Sequence, residues 1–151
     1  MRALIQRVSY ATVKVDNQTI GTIGQGVLAY IGLGHDDNMD SAKRMIDKIL
    51  TYRIFENTAD PTKVGKLDQS LQQVNGGLLL VSQFTLMAKT NKGRRPDFAH
   101  AMSPDTAQVL FDNLLEYAKS QHSIVATGQF GADMQVISHN EGPLNFLLEV
   151  I

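Results

Sequence analysis

Ser82, Gln83 and Thr85 put two hydroxyls and an amide at the end of the apolar run "GLLLV", with Phe84 among them as an aromatic platform. Hydroxyls invite a nucleophilic reading. No general base stands near them in the chain, however, and the G-x-S-x-G turn that would expose Ser82 above a sheet is absent. Ser and Thr also satisfy backbone groups where strands end, so a purely structural role stays open. Four histidines, His35, His100, His122 and His139, are scattered without paired-ligand spacing, and "HDD" at His35–Asp37 precedes a helix whose dipole favours acidic residues. We expect no metal and no cofactor: the glycines in "GTIGQG" and "GLG" match neither a phosphate-binding loop nor the dinucleotide fingerprint.

Two further stretches could recognise rather than react. "KTNKGRRP" gathers Lys89, Lys92, Arg94 and Arg95 within seven residues, in a chain whose formal net charge is -1. With no global basic field, a general DNA or RNA binder is not expected, and any nucleic-acid contact is local to this loop. The same cluster also fits a solvated loop. "GQFGADM" offers Phe130 and Met134 on a glycine-flanked segment, suited to gripping an unpaired base or to entering the core. Finally, "SHNEGPLNFLLEVI" carries Gly142-Pro143, a stiff corner that reads first as a turn launching a last strand.

The elements that must hold these residues follow from periodicity. Residues 3–15 alternate well enough for two strands, a third lies near Thr19–Ile23, and "VLAYIGL" reads as a central strand covered on both faces. Met39, Ala42, Met45, Ile46, Ile49 and Leu50 recur at three- and four-residue spacing, predicting a helix capped by Asp37 or Asn38. A second helix starts with Ser103 as cap and Pro104 at its first position, with Ala107, Leu110, Phe111, Leu114, Leu115 and Ala118 inward. "SIVATG", "DMQVIS" and "NFLLEV" complete the reading as three short strands. The order predicts one α+β domain over residues 1–151, a mixed sheet with two main helices packed against it. Absence of cysteine removes disulfides and thiolate chemistry, and no apolar run reaches the roughly 20 residues of a membrane span. A soluble, cytoplasmic protein is expected.

"SQFTL" at Ser82–Leu86 together with "NEGPLN" at Asn140–Asn145 resembles the motif pair of the D-aminoacyl-tRNA deacylases. The opening "MRALIQRV", the basic "KGRRPDF" and "GQFGADMQV" look like this family at matching positions, so the resemblance spans the chain. Leu144 and Asn145 stand where the family usually has Val and Thr. The resemblance implies a partly closed barrel and a homodimer acting on D-aminoacyl-tRNA and glycyl-tRNA without metal or covalent side-chain nucleophile. It implies that N–H groups around Phe84 and Thr85 hold the scissile carbonyl, beside Ser82 and Gln83, while the ribose 2′-hydroxyl helps activate water. It further implies a cis Gly142-Pro143 corner reaching into the partner's pocket, where it captures the α-amino group and excludes L side chains, with Asn140 beside it and Arg7 holding its orientation by hydrogen bonds from the guanidinium. Phe130 and Met134 would meet the terminal adenosine. A non-catalytic tRNA-binding module is the alternative, needing the basic loop but not the corner.

Overall fold

The computed structural model describes residues 1–151. Its longest elements are two strands that the sequence divides into shorter ones. β1 runs unbroken from Arg2 to Val15, and β8 from Gln135 to Glu149; they pair antiparallel along nearly their whole length. Expected as two strands each, they are continuous because every residue of one arm finds a ladder partner on the other, apart from two irregularities. At the second along β1, Val8 pairs with Asn140 and Tyr10 with His139, leaving Ser9 as an extra residue. Such a bulge reverses which face the following side chains take. Ala3 and Ile5 accordingly point to one core, and Ala11 and Val13 to another.

The other edge of β1 pairs with β2 (Gln18–Ile23) and then with β3 (Gly26–Gly32), both antiparallel. β3 runs parallel to β6 (Gly77–Ser82), and β6 parallel to β7 (Val125–Thr127), which makes the sheet mixed. The sheet curls until Gly21 of β2 lies against the Thr127 carbonyl of β7, nearly closing a barrel. Val8, Ala11, Val13, Ile23, Leu28, Leu79 and Val81 fill its interior. β3 and β6 are buried almost throughout because helices cover their outer face while the barrel interior covers the inner one.

Three helices are present, two long and one short. α1 spans Met39–Thr51 and is capped by Asn38, whose side chain accepts from the Asp40 and Ser41 N–H groups. In return the Ser41 hydroxyl oxygen accepts from the Asn38 N–H, completing the reciprocal cap. Its apolar stripe, Ala42, Met45, Ile46, Ile49 and Leu50, is wholly buried, and each large side chain contributes about 1.5–3 kcal/mol on leaving water. α2 is a single turn, Leu71–Val74, preceded by two short strands not foreseen from sequence, β4 (Arg53–Phe55) and β5 (Gln69–Ser70). α3 spans Pro104–Gln121 on the same side as α1. Ser103 occupies its N-cap position, but the hydroxyl donates to Thr106 Oγ1 rather than accepting from the backbone, and Leu115 is only half-buried.

Candidate active site

β6 delivers Ser82 to the edge of the sheet, and the chain then winds into a 3₁₀ turn over Phe84–Met87. Gln83 is tied back to β3 by its N–H, which donates to the Ile31 carbonyl at 2.8 Å. The turn sits against Gly32, where an added Cβ would lie 2.8 Å from the Cβ of Leu86. Only glycine permits that approach. The first N–H used inside the turn is that of Leu86, donating to the Gln83 carbonyl; the opening N–H groups of such a turn have no internal acceptor, and here they belong to Phe84 and Thr85. Gln83 Nε2 donates to Thr85 Oγ1, and no histidine, lysine or carboxylate accompanies that hydroxyl.

Ser82, Gln83 and Phe84 line a cleft of about 640 Å³ whose walls are mainly apolar. Across it stand Phe130 and Met134, which the structure thus brings to the same cavity as the end of β6. Both also pack: Phe130 lies 6.1 Å from Phe111 between ring centroids, and Met134 rests against the barrel cluster. Phe98, which the sequence reading passed over, pairs with Phe84 at 5.0 Å to form the lip. Its only signal was an aromatic two residues beyond Pro96 in "RRPDF".

Gly142-Pro143 is not a turn before a last strand. It lies within β8, where Asn145 pairs with Gln6 and Asn140 with Val8, so Glu141–Leu144 stand out opposite Arg7 alone. The Gly142–Pro143 peptide bond is cis, and Gly142 has φ +114°, a region closed to L side chains. Asn140 Nδ2 closes the neck by donating to the Arg7 carbonyl at 3.0 Å and the Leu144 carbonyl at 3.3 Å. Arg7 was expected to grip the corner through guanidinium hydrogen bonds. Its Nη1 instead donates to the Ile54 carbonyl at 3.0 Å, and its Nε is 3.9 Å from Glu141 and donates to nothing.

The corner does not line the cleft of its own chain. Arg7 pairs with Val27 at the start of β3, whereas Ser82 pairs with Ile31 near its end, four residues or about 13 Å along the strand.

Residues 4–149 match the family described as D-Tyr-tRNA(Tyr) deacylase. The chain belongs to that family. Among its relatives, a protein of Psychrobacter cryohalolentis named D-aminoacyl-tRNA deacylase is 73% identical over 150 residues, covering 99% of each chain. Two solved structures share the fold. One, described as c-Myc DNA Unwinding Element Binding Protein, has a TM-score of 0.93 at 34% identity and covers 100% of this chain and 99% of its own. The other, described as a probable eukaryotic D-amino acid tRNA deacylase, has a TM-score of 0.84 at 20% identity, covering 99% and 98%.

In this deacylase-family chain the basic connection begins and ends at the cleft: it leaves after the turn of Phe84 and returns through Phe98 and Ala101. Lys89 and Asp97 pair across its base as an antiparallel bridge. Lys89, Lys92, Arg94 and Arg95 are all exposed, and none joins an ion pair. Asp37, weighed as part of a metal motif, instead accepts from the Gly34 N–H at 2.7 Å and from the Met1 amine at 2.9 Å. No three His, Cys, Asp or Glu side chains converge as metal ligands, and no helix is long and apolar enough to cross a membrane.

Proposed function

We propose that this chain hydrolyses the ester joining a D-amino acid, or glycine, to the terminal ribose of tRNA, releasing free amino acid and tRNA. The observation that carries the reading is that the turn opening at Phe84 and Thr85, whose first N–H groups have no acceptor within it, starts at the wall of an apolar cleft lined by Ser82, Gln83 and Phe84 and by no side-chain base. Donors fixed by backbone can stabilise a developing oxyanion without any proton inventory of their own. Ser82 and Gln83 flank the carbonyl, the ribose 2′-hydroxyl assists water, and Phe130 and Met134 hold the adenine. Lys89, Lys92, Arg94 and Arg95 take the acceptor-end phosphates.

Chirality is read by Gly142 and Pro143 of a second copy, seated in the cleft, which leave no room for an L side chain but admit glycine. Three features support a homodimer. The corner stands away from its own cleft, Arg7 Nε is a buried donor without an acceptor, and β8 has no strand on its outer edge, where Ile137 and Leu147 are exposed. Asn140 holds the corner in register, with the Arg7 backbone carbonyl as one of its acceptors. A cytoplasmic site of action follows from the substrate.

Incubating the protein with D-tyrosyl-, L-tyrosyl- and glycyl-tRNA, with light scattering on the same sample, tests this. Release from the D and glycyl esters by a dimer, with the L ester intact, is expected. Binding without turnover would replace the reading with a non-catalytic tRNA-binding module, and indiscriminate release would remove the steric filter.

A further inference from the structure

His35 and His100 come from different loops, one after β3 and one at the returning end of the basic connection, yet their rings face each other. His35 Nε2 and His100 Nδ1 are 3.3 Å apart, with ring centroids at 5.4 Å and planes inclined by 37°. His35 Nδ1 is 2.9 Å from Asp36 Oδ1. A carboxylate on one ring nitrogen fixes the tautomer and leaves the other nitrogen's lone pair free, the arrangement found behind metal-ligating histidines. We propose that His35 and His100 form a two-nitrogen site for a borderline-soft divalent cation, zinc above others, at the root of the basic loop.

The separation fits. Two nitrogens each about 2.0–2.1 Å from a tetrahedral ion stand about 3.3–3.4 Å apart, and a modest rotation of both exposed rings turns their lone pairs onto one point. The pair opens on a polar depression of about 770 Å³, which gives an ion a path of entry. Other carboxylates there are engaged: Asp37 by the Gly34 N–H and the Met1 amine, Glu149 by Arg2 at 2.9 Å. Water therefore completes the coordination, and the site is exchangeable rather than structural, consistent with the lack of a three-ligand cluster. Arg2 and Arg44 at the depression are balanced by Glu149 and Asp40, which leaves Lys89 as its unpaired cation.

An ion held there would tie the β3–α1 loop to the segment that returns from Lys89–Arg95. Those segments are already joined by the His35 N–H donating to the His100 carbonyl at 3.0 Å and by the bridge of Gly34 with Ala101. The cation would stiffen the root of the basic loop without entering the cleft.

Zinc chloride titrated into the full chain, followed by imidazole nitrogen NMR and by calorimetry, tests the site. One ion per chain should bind, with the His35 and His100 ring signals moving together while those of His122 and His139 stay. His35→Ala or His100→Ala should abolish that event, and Asp36→Asn should weaken it about 10- to 100-fold. Magnesium should move neither ring. Zinc binding retained in the double variant, or unmoved His35 and His100 signals in the native chain at millimolar zinc, would overturn the site and leave an imidazole–imidazole hydrogen bond.

Discussion

Asn140 and Arg7 face each other across the β1–β8 ladder, and the Asn140 side chain donates to the Arg7 carbonyl at 3.0 Å while reaching the Leu144 carbonyl at 3.3 Å. One amide thereby pinches shut the base of the protrusion carrying Gly142 and Pro143. Asn140→Ala removes both hydrogen bonds, each worth about 1 kcal/mol net. Stability should fall by no more than about 2 kcal/mol in urea titration. Turnover of D-aminoacyl-tRNA should fall by more than the thermal loss explains, with leakage toward the L ester. Equal activity and chirality in the variant would mean that the corner is held by other contacts.

The cations of the basic loop have no acidic partner within the chain, so their charge is available to phosphate. Arg94→Ala with Arg95→Ala should weaken tRNA binding and lower the slope of log affinity against log salt by about 1.4–1.8, at 0.7–0.9 per phosphate lost. Filter binding across a salt series reads both quantities. An unchanged slope assigns the loop to solvent.

Thr85 Oγ1 is engaged by the Gln83 amide and has no base beside it. Thr85→Ala should keep deacylation within about tenfold of the native rate, since the donors at this turn are backbone groups. A substrate ending in 2′-deoxyadenosine should lose most of the rate. Inactivity of a folded Thr85→Ala protein would restore the hydroxyl as nucleophile.

Asp68 anchors the loop between β4 and β5. Burial would raise its pKa, but hydrogen bonds from Asn57 and Arg53 and the charges of Lys63 and Arg53 outweigh that and hold it below the usual carboxylate value. A carboxylate whose pKa is depressed on folding stabilises above its unfolded pKa, and that stabilisation disappears as pH falls through the folded value. Denaturation midpoints taken from neutral pH down to about pH 3 should therefore drop more for the native protein than for Asp68→Asn. Parallel curves would show that Asp68 carries no such linkage.

The local patterns in this chain were legible because they are satisfied locally. The stripe from Ala42 to Leu50 needs only helical spacing, and Asn38 and Ser41 need only each other to cap it. The apolar run of β3 announced burial on both faces. The motif pair "SQFTL" and "NEGPLN" carried the family resemblance, since each is a short contiguous stretch that reads without knowledge of the fold.

Distance along the chain hid the rest. Whether β1 and β8 are two strands or four depends on partners more than a hundred residues away, and the Ser9 bulge that turns β1 from one core to the other exists only in that pairing. The Gly142-Pro143 sequence specifies a stiff corner, but not that Asn140 and Asn145 close the ladder behind it. Nor could the sequence place Phe98 against Phe84, or His35 against His100, because each pair meets where two loops converge at the ends of β3 and β6. Composition and spacing determined which residues were available; the curl of the sheet decided which of them share a cavity.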